Sequence, residues 1–252
     1  MKIIKLVPVY IMLALGFSIT AFAQNNNAAK PAKKGFAVLE LFTSEGCSSC
    51  PPADELMGKI QEEYKANDVY VLSYHVDYWD NQGWKDVFAS PDYTKRQYQY
   101  GEWLGVQPIY TPQLIINGKA QYIGSQAADI RAALKKAFVT PTAISLSLNG
   151  VKAKNSVVIN YTTNSTSKNA RLHIAVVQKS AKSNVKRGEN SGRVLSHYQI
   201  VRHLHTTTIG KGGKGSVTVQ VASAFNTIDY EIVGFIQDIA TGSILGVTTA
   251  GF

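Results

Sequence analysis

Cysteine is scarce in this sequence, and its scarcity limits the chemistry that the chain supports. Among the 252 residues there are two cysteines, Cys47 and Cys50. A scaffold of several disulfides is therefore excluded. A zinc site made from two Cys-x-x-Cys pairs is excluded as well, and the five histidines do not show the usual spacing of zinc ligands. We predict no zinc site and no organic cofactor.

Long apolar runs are also missing, apart from one near the start of the chain. Residues 6–17 are almost entirely apolar, but this run is too short for a comfortable membrane span. Two lysines precede it, and Ala21-Phe22-Ala23 follows as a small-x-small cleavage pattern. We predict a signal peptide over 1–23, a disordered linker over 24–34, and export to the periplasm or beyond with no transmembrane span after cleavage. The alternative is an uncleaved membrane anchor.

Nucleic-acid motifs and internal repeats are missing too. The formal net charge is +9 at pH 7. Such a charge suits either a plain solvated surface, which we favour, or contact with an anionic cell envelope. Because export separates the protein from nucleic acid, we predict no nucleic-acid partner.

Both cysteines lie at a predicted strand-to-helix junction. The apolar run 36–42 predicts a buried strand, and residues 53–60 show the spacing of a helix. Pro51-Pro52 places the start of the regular helix at one of these prolines. A helix N-terminus stabilises a thiolate, so we predict Cys47 as the nucleophile and Cys50 as the resolving thiol.

A purely structural role for the cysteine pair is the competing interpretation. A bridge between Cys47 and Cys50 closes a very short loop, and by the loop-entropy argument it stabilises the fold little. In an oxidising compartment the pair rests as a disulfide unless a reductant maintains it. The sequence therefore favours a redox pair.

A second predicted strand carries two candidate proton-transfer residues. Residues 69–79 are rich in β-branched and aromatic side chains, which favours a strand parallel to the first. His75 and Asp77 lie two apart and so share one side of a regular strand. Near the carboxyl end of this strand they either move protons for the cysteines or form a polar pair that holds the following loop. Both interpretations stay open.

A helix is predicted next, and a strand hairpin with a further helix follows it. Ser90-Pro91 marks a helix N-terminus, and residues 92–104 form a helix whose aromatic side chains either line a groove or pack in the core. Pro112 opens an apolar strand, and Asn117-Gly118 predicts a type I′ hairpin turn. The returning strand is 120–123, and the last helix of this region is 127–138.

The order of these elements resembles the thioredoxin superfamily. In that superfamily a Thr-Pro bond is cis and faces the Cys-x-x-Cys, and the backbone before the proline binds an extended substrate. The resemblance assigns these roles to Thr111 and Pro112. It implies an α/β thioredoxin-like domain over 35–140.

Longer blocks resemble one secreted bacterial family of thioredoxin-like proteins, which is catalogued as a domain of unknown function. The blocks are Glu40–Asp54, His75–Asp80 and Tyr110–Gln113, and Gly188–Arg193 is also similar. The resemblance covers nearly all of residues 35–252. Ser48-Ser49 departs from the Gly-Pro of thioredoxin, so no redox direction is implied. The predicted substrate-groove or supporting residues are Glu45, His75, Asp77, Trp79, Thr111 and Pro112.

The second half of the chain changes character. From Pro141 onward, short alternating runs separated by turn signals predict an all-β, sandwich-like domain over 141–252. Asn149-Gly150 is one of those turn signals. The polar segment 185–193 either packs over the redox site or forms a solvated loop. The pattern of residues 194–204 does not distinguish a helix from a strand.

These observations predict an exported thiol–disulfide oxidoreductase acting on a protein or small-molecule thiol or disulfide. One alternative is a copper-handling protein, in which the two thiolates and a histidine bind Cu(I). The histidine is then His75 or one of the 197–205 cluster. Another alternative is a noncatalytic module that binds the envelope. The oligomeric state is not predicted.

Overall fold

A computed structural model gives the structure of residues 35–142 and 144–252, together with residues 1 and 3. Apart from those two residues, the predicted signal peptide and linker lie outside the described residues. The helices of the described ranges are α1 (Pro51–Glu63), α2 (Pro91–Leu104) and α3 (Ala127–Phe138). The strands are β1 (Ala37–Thr43), β2 (Val69–His75), β3 (Gln113–Ile116), β4 (Ala120–Ile123), β5 (Leu146–Lys152), β6 (Ser156–Thr163), β7 (Ala170–Asn184), β8 (Val194–Thr208), β9 (Lys214–Gln220), β10 (Tyr230–Asp238) and β11 (Ile244–Thr249).

A large mixed sheet forms the frame of the fold. Its eight strands lie in the order β11-β10-β7-β8-β2-β1-β3-β4. β1 and β2 are parallel, as predicted, and β8 joins β2 in parallel through the pair Ser73 and Ile200. A second, antiparallel sheet has the order β5-β6-β9. The fold is therefore mixed α/β, and its large sheet takes strands from both halves of the chain.

The described residues from Gly35 onward form one compact unit. The predicted boundary between 35–140 and 141–252 falls between α3 and β5 in the chain, but the large sheet extends across it. A division into two units that fold separately stays a prediction.

Local signals place several elements well. α3 and β4 have the predicted bounds, and α1 begins at Pro51. The Ser90 hydroxyl accepts a hydrogen bond from the Asp92 amide at the start of α2, and Gly105 ends that helix with a φ of +63°. The turn between β3 and β4 has positive φ at both Asn117 (+52°) and Gly118 (+64°), as a type I′ turn requires.

Other local predictions are wrong. β2 ends at His75 rather than at 79, because the chain turns there and the Asp80 amide donates to the Asp77 carbonyl. Asn149 and Gly150 are not a turn but lie inside β5, where they pair with β6. The segment 194–204, left without an assignment by its pattern, belongs to β8.

Three apolar clusters stabilise these layers. One joins α2 to both halves of the large sheet and contains Phe42, Tyr74, Tyr100 and Phe235. The aromatic residues Tyr93 and Tyr100 of α2 therefore pack in the core. A second cluster joins α1 and α3 to β1 and β3, and a third joins the β5-β6-β9 sheet to β7 and β10 of the large sheet.

A buried ion pair also connects the two halves. Arg96 of α2 donates from Nε to Glu40 Oε1 of β1 (2.7 Å) and from both Nη atoms to Gln237 Oε1 of β10 (3.2 Å). Arg96 and Glu40 are 4% and 0% exposed. An ion pair buried this deeply needs each of its partners, since removing one leaves the other charge unpaired.

Candidate functional site

The two cysteines are joined by a disulfide at the N-terminus of α1. Cys50 is the residue that caps the helix, and the amides of Ala53 and Asp54 donate to its carbonyl. Cys47 and Cys50 are 1% and 0% exposed, whereas Ser48 and Ser49 between them are exposed. The motif therefore presents its two serines to solvent and keeps its sulfur atoms inside.

Three of the predicted supporting residues lie together beside this loop. The peptide bond between Thr111 and Pro112 is cis, as the resemblance implies. Phe42 of β1 pairs with Gln113 of β3, which places Pro112 next to the end of β1 from which the cysteine loop leaves. Trp79 Nε1 donates to the Thr111 hydroxyl (2.9 Å), and a Cβ on Gly46 would lie 3.0 Å from the Trp79 Cβ.

A buried histidine holds two carboxylates on either side of the motif. His197 Nε2 lies 3.3 Å from Glu45 Oε1, and its Nδ1 lies 3.3 Å from Asp54 Oδ2. Burial by itself lowers the pKa of His197, but the hydrogen bonds and charges of Asp54 and Glu45 outweigh it and raise the pKa to about 9. His197 is therefore an imidazolium at neutral pH. Glu45 lies two residues before Cys47 and Asp54 lies four residues after Cys50, so the two carboxylates that contact His197 flank the cysteine pair.

His75 joins the same buried network from the end of β2. Its Nδ1 lies 2.7 Å from Asp86 Oδ2, which also accepts a hydrogen bond from the Glu45 amide (2.9 Å). Burial raises the pKa of Asp86, but His75 and the backbone amides of Glu45 and Phe88 more than offset this, and the pKa is lowered overall. The His75 and His197 rings lie 4.9 Å apart.

Asp77 is placed elsewhere. Its amide donates to the Thr94 hydroxyl of α2 (3.1 Å), and the same hydroxyl donates to the Asp77 carboxylate. His75 and Asp77 do not form a pair, because β2 ends between them. Asp77 holds its loop on α2, and the structure does not bring it into the network around Glu45.

The segment 185–193, between β7 and β8, lies over the cysteine loop. Asn190 Nδ2 donates to the carbonyls of Glu45 (2.8 Å) and Cys47 (2.9 Å), and Asn190 is fully buried. The Ser48 amide donates to Glu189 Oε2 (2.9 Å). Of the two interpretations of this segment, these contacts favour packing over the cysteine loop, although residues 186–189 and 191–193 are exposed. We call residues 185–193 the cover.

Sequence reasoning missed several members of this site. His197 was considered only as a metal ligand, and Asp86, Trp84 and Asp54 were not singled out. Trp84 Nε1 donates to Glu45 Oε2 (2.6 Å). One sequence signal does point to the cover. The block Gly188–Arg193 lies far from the cysteines in sequence, yet it resembles the same family as the cysteine block does.

The described residues show neither a metal-binding cluster nor a membrane-spanning helix. In these residues no group of three or more His, Cys, Asp or Glu side chains is arranged to hold a metal ion. No helix of residues 35–142 or 144–252 is long and apolar enough to cross a bilayer. The copper-handling alternative stays a prediction.

Comparison with known proteins places the chain in a family. A protein from Agrobacterium tumefaciens of known crystal structure is 31% identical; the match covers 88% of this chain and 95% of that one, with a TM-score of 0.64. A domain of the outer membrane lipoprotein Omp28 from Porphyromonas gingivalis is 11% identical over 43% of this chain and 86% of that one, with a TM-score of 0.24. No curated protein matches the chain. The profile described as "Protein of unknown function (DUF1223)" matches residues 38–237, and the chain therefore belongs to the DUF1223 family.

Proposed function

We propose that the protein is an exported thiol–disulfide oxidoreductase built on a thioredoxin-like domain. One observation carries the proposal: the Cys47–Cys50 disulfide sits at the N-terminus of α1, directly after β1. Thr111 and Pro112 lie beside it. Export rests on the signal-peptide pattern of the sequence, and no metal or organic cofactor is needed for the exchange.

The proposed reaction exchanges one disulfide for another. A partner thiolate attacks Cys47 Sγ, the Cys47–Cys50 bond breaks, and its electron pair leaves on Cys50 as a thiolate that takes up a proton. A second thiolate of the partner then attacks the partner's sulfur in the mixed disulfide. The partner leaves as a disulfide, and Cys47 and Cys50 are both reduced. With a partner disulfide the same steps run in reverse.

The helix contributes to this chemistry through its dipole. Pro51 and Pro52 have no amide hydrogen, and the amides of Ala53 and Asp54 already donate to the Cys50 carbonyl. The first turn therefore has few free donors for a thiolate at Cys47. The positive end of the α1 dipole still favours the thiolate.

The thioredoxin-like part of the proposal is supported by the arrangement of the first half. β2, β1, β3 and β4 are neighbours in that order, with β1 and β2 parallel and β3 and β4 antiparallel. α1 and α3 pack with β1 and β3 in one cluster, while α2 packs in another. The second half would then add strands to the open edge at β2.

The proposal is tested by equilibrating the mature protein in glutathione buffers and counting free thiols after denaturation. We expect a reversible two-electron transition. A potential near about −120 mV would indicate a disulfide donor, and one near about −270 mV a reductant. The Cys50→Ser variant should hold a partner as a mixed disulfide on Cys47, whereas Cys47→Ser should trap partners on Cys50 or lose the exchange. If glutathione never reduces the Cys47–Cys50 bond, the disulfide is structural and the proposal is wrong.

A further inference from the structure

The disulfide is closed to attack in the structure. Thiol–disulfide exchange needs a nucleophile to reach one of the two sulfur atoms. Cys47 is 1% exposed and Cys50 is 0% exposed. A reacting partner therefore requires that some part of the wall around the sulfur atoms moves away.

Two elements beside the disulfide, α1 and the strand that follows Pro112, belong to the packed core. α1 is fixed by Leu56, Met57 and Ile60, which are buried in the cluster beneath the large sheet. Pro112 directly precedes β3, and its carbonyl accepts the Gly124 amide. Moving either of these walls would break apolar packing or a strand ladder, which makes them poor candidates for a movable part.

The cover is built differently, as a small unit at the end of a hairpin. The Val185 amide donates to the Arg193 carbonyl (3.0 Å), and the Gly192 amide donates to the Val185 carbonyl (2.9 Å). These bonds close the base of the cover on itself. Gly188 and Gly192 have φ of +76° and +79°, conformations that glycine adopts freely. The internal bonds of the cover are therefore independent of its contacts with the cysteine loop.

Three hydrogen bonds join the cover to the cysteine loop, and Gly188 of the cover also lies against Gln82 and Trp84. Asn190 donates to the carbonyls of Glu45 and Cys47, and Glu189 accepts from the Ser48 amide. The hydrogen bond from Ser48 lowers the pKa of Glu189, which is fully exposed to solvent. The cysteine loop thus contributes only main-chain groups to these three bonds, namely two carbonyl acceptors and one amide donor.

From these contacts we propose that the cover is an autoinhibitory lid that occupies the place of an extended polypeptide substrate. When it lifts, the Glu45 carbonyl and the Ser48 amide lose these partners, and the Cys47 carbonyl keeps only the Cys50 amide. An extended polypeptide carries alternating amide donors and carbonyl acceptors and satisfies such a set, as strand-like peptide recognition does elsewhere. This inference rests on the proposed function, since it names the substrate class and the regulation of the same site.

A neutral phosphine measures the opening of the lid. The phosphine attacks a sulfur, breaks the Cys47–Cys50 bond and is oxidised to its oxide with an oxygen from water, while the two sulfurs become thiols. We compare Glu189→Ala and Asn190→Ala with Arg187→Ala, an exposed residue of the cover that makes none of the three bonds. We expect the rate constant to rise roughly two- to tenfold for each hydrogen bond lost and to stay within about twofold for Arg187→Ala.

The outcomes separate the lid from the oxidoreductase activity. Unchanged phosphine rates in folded Glu189→Ala and Asn190→Ala proteins would overturn the lid. If Asn190→Ala fails to fold, Glu189→Ala decides, because its contact with Ser48 lies at the surface. If the variants react faster with phosphine but glutathione establishes no redox equilibrium, the lid stands and the proposed function falls.

The substrate class has its own readout. In the wild-type protein, a short unstructured peptide with one cysteine should reduce the disulfide faster than glutathione at equal thiolate concentration. The reason is that the peptide backbone replaces the bonds of Asn190 and Glu189. Equal rates for peptide and glutathione would contradict the polypeptide substrate.

Discussion

At the scale of single residues, His197 is unusual because it is buried and yet its pKa is raised. A histidine that is 1% exposed is ordinarily neutral, because burial disfavours its charged form. Here Glu45 and Asp54 hold it as an imidazolium, and both carboxylates flank the cysteine motif. His197 of β8 therefore connects the residues on either side of the two cysteines through two ion pairs.

This arrangement makes stability depend on pH. The pKa of His197 rises from 6.5 to about 9 on folding, so a bound proton stabilises the folded protein. The contribution is complete below pH about 6.5 and is lost as the pH rises through about 9. It is worth roughly 3 kcal/mol at most, since one pKa unit corresponds to about 1.36 kcal/mol. Urea unfolding between pH 6 and 10 should show the loss in the wild-type protein.

The His197→Gln variant isolates this contribution. It should be less stable than the wild-type protein near pH 6, and the difference should shrink as the pH rises toward 10. His203→Gln is the control, because His203 lies on the same strand but is exposed. Wild-type and His197→Gln stabilities that stay parallel across this pH range would rule out a charged His197.

At the scale of elements, the β7–β8 hairpin decides how the site is completed. Each of its strands has 15 residues, and beyond the register shift between Val176 and Val177 the pairing continues to Asn184 and Val194. The far end of the hairpin carries His197, and the cover lies at its tip. A single hairpin thus brings both the buried cation and the lid to the cysteine loop.

The β3–β4 turn gives a second test at this scale. A Cβ on Gly118 would lie 1.9 Å from the Gly242 carbonyl oxygen, whereas one on Gly105 would meet nothing within 4 Å. Both glycines have positive φ, at +64° and +63°. Gly105→Ala should lose about 1–2 kcal/mol of unfolding free energy from backbone conformation alone, and Gly118→Ala clearly more. Urea unfolding of the two variants measures the difference. Equal losses of unfolding free energy would mean that the backbone at Gly242 moves away from the added methyl group at little cost.

The elements also show what local sequence signals can and cannot predict. α3, β4 and the Asn117-Gly118 turn were predictable because helix periodicity and turn chemistry act over a few residues. The pairing of β8 with β2 depends on residues more than a hundred positions apart, which no local pattern records. For the same reason the cysteines were found from the sequence, while the roles of His197 and Asn190 were not.

At the scale of the whole molecule, the continuous sheet predicts cooperative unfolding. Arg96, Glu40 and Gln237 bind α2, β1 and β10 into one buried network, and one apolar cluster contains residues of both halves. We therefore expect the two halves to unfold together in one transition. Two separate units at 35–140 and 141–252 would instead give two transitions.

The tryptophans make this measurement direct. All three tryptophans, Trp79, Trp84 and Trp103, lie before residue 140. Trp84 and Trp103 contact Gly188 and Ile239 of the second half, so both are replaced by Phe, and the fluorescence of Trp79, which donates to Thr111, reports the first half. Hydrogen exchange of the β6 and β9 amides reports the second half. The two signals should give the same urea midpoint within error, and midpoints that differ would show that the halves unfold independently.

The place of β8 in the sheet also has a consequence for biosynthesis. The ribosome completes Cys47 and Cys50 long before it reaches Val194–Thr208. At roughly 5–20 residues per second, this interval is on the order of ten seconds. During that time the chain has neither His197 nor Asn190, and the two thiols emerge without the cover. An oxidant that acts on the nascent polypeptide would therefore meet sulfur atoms that the cover does not yet enclose.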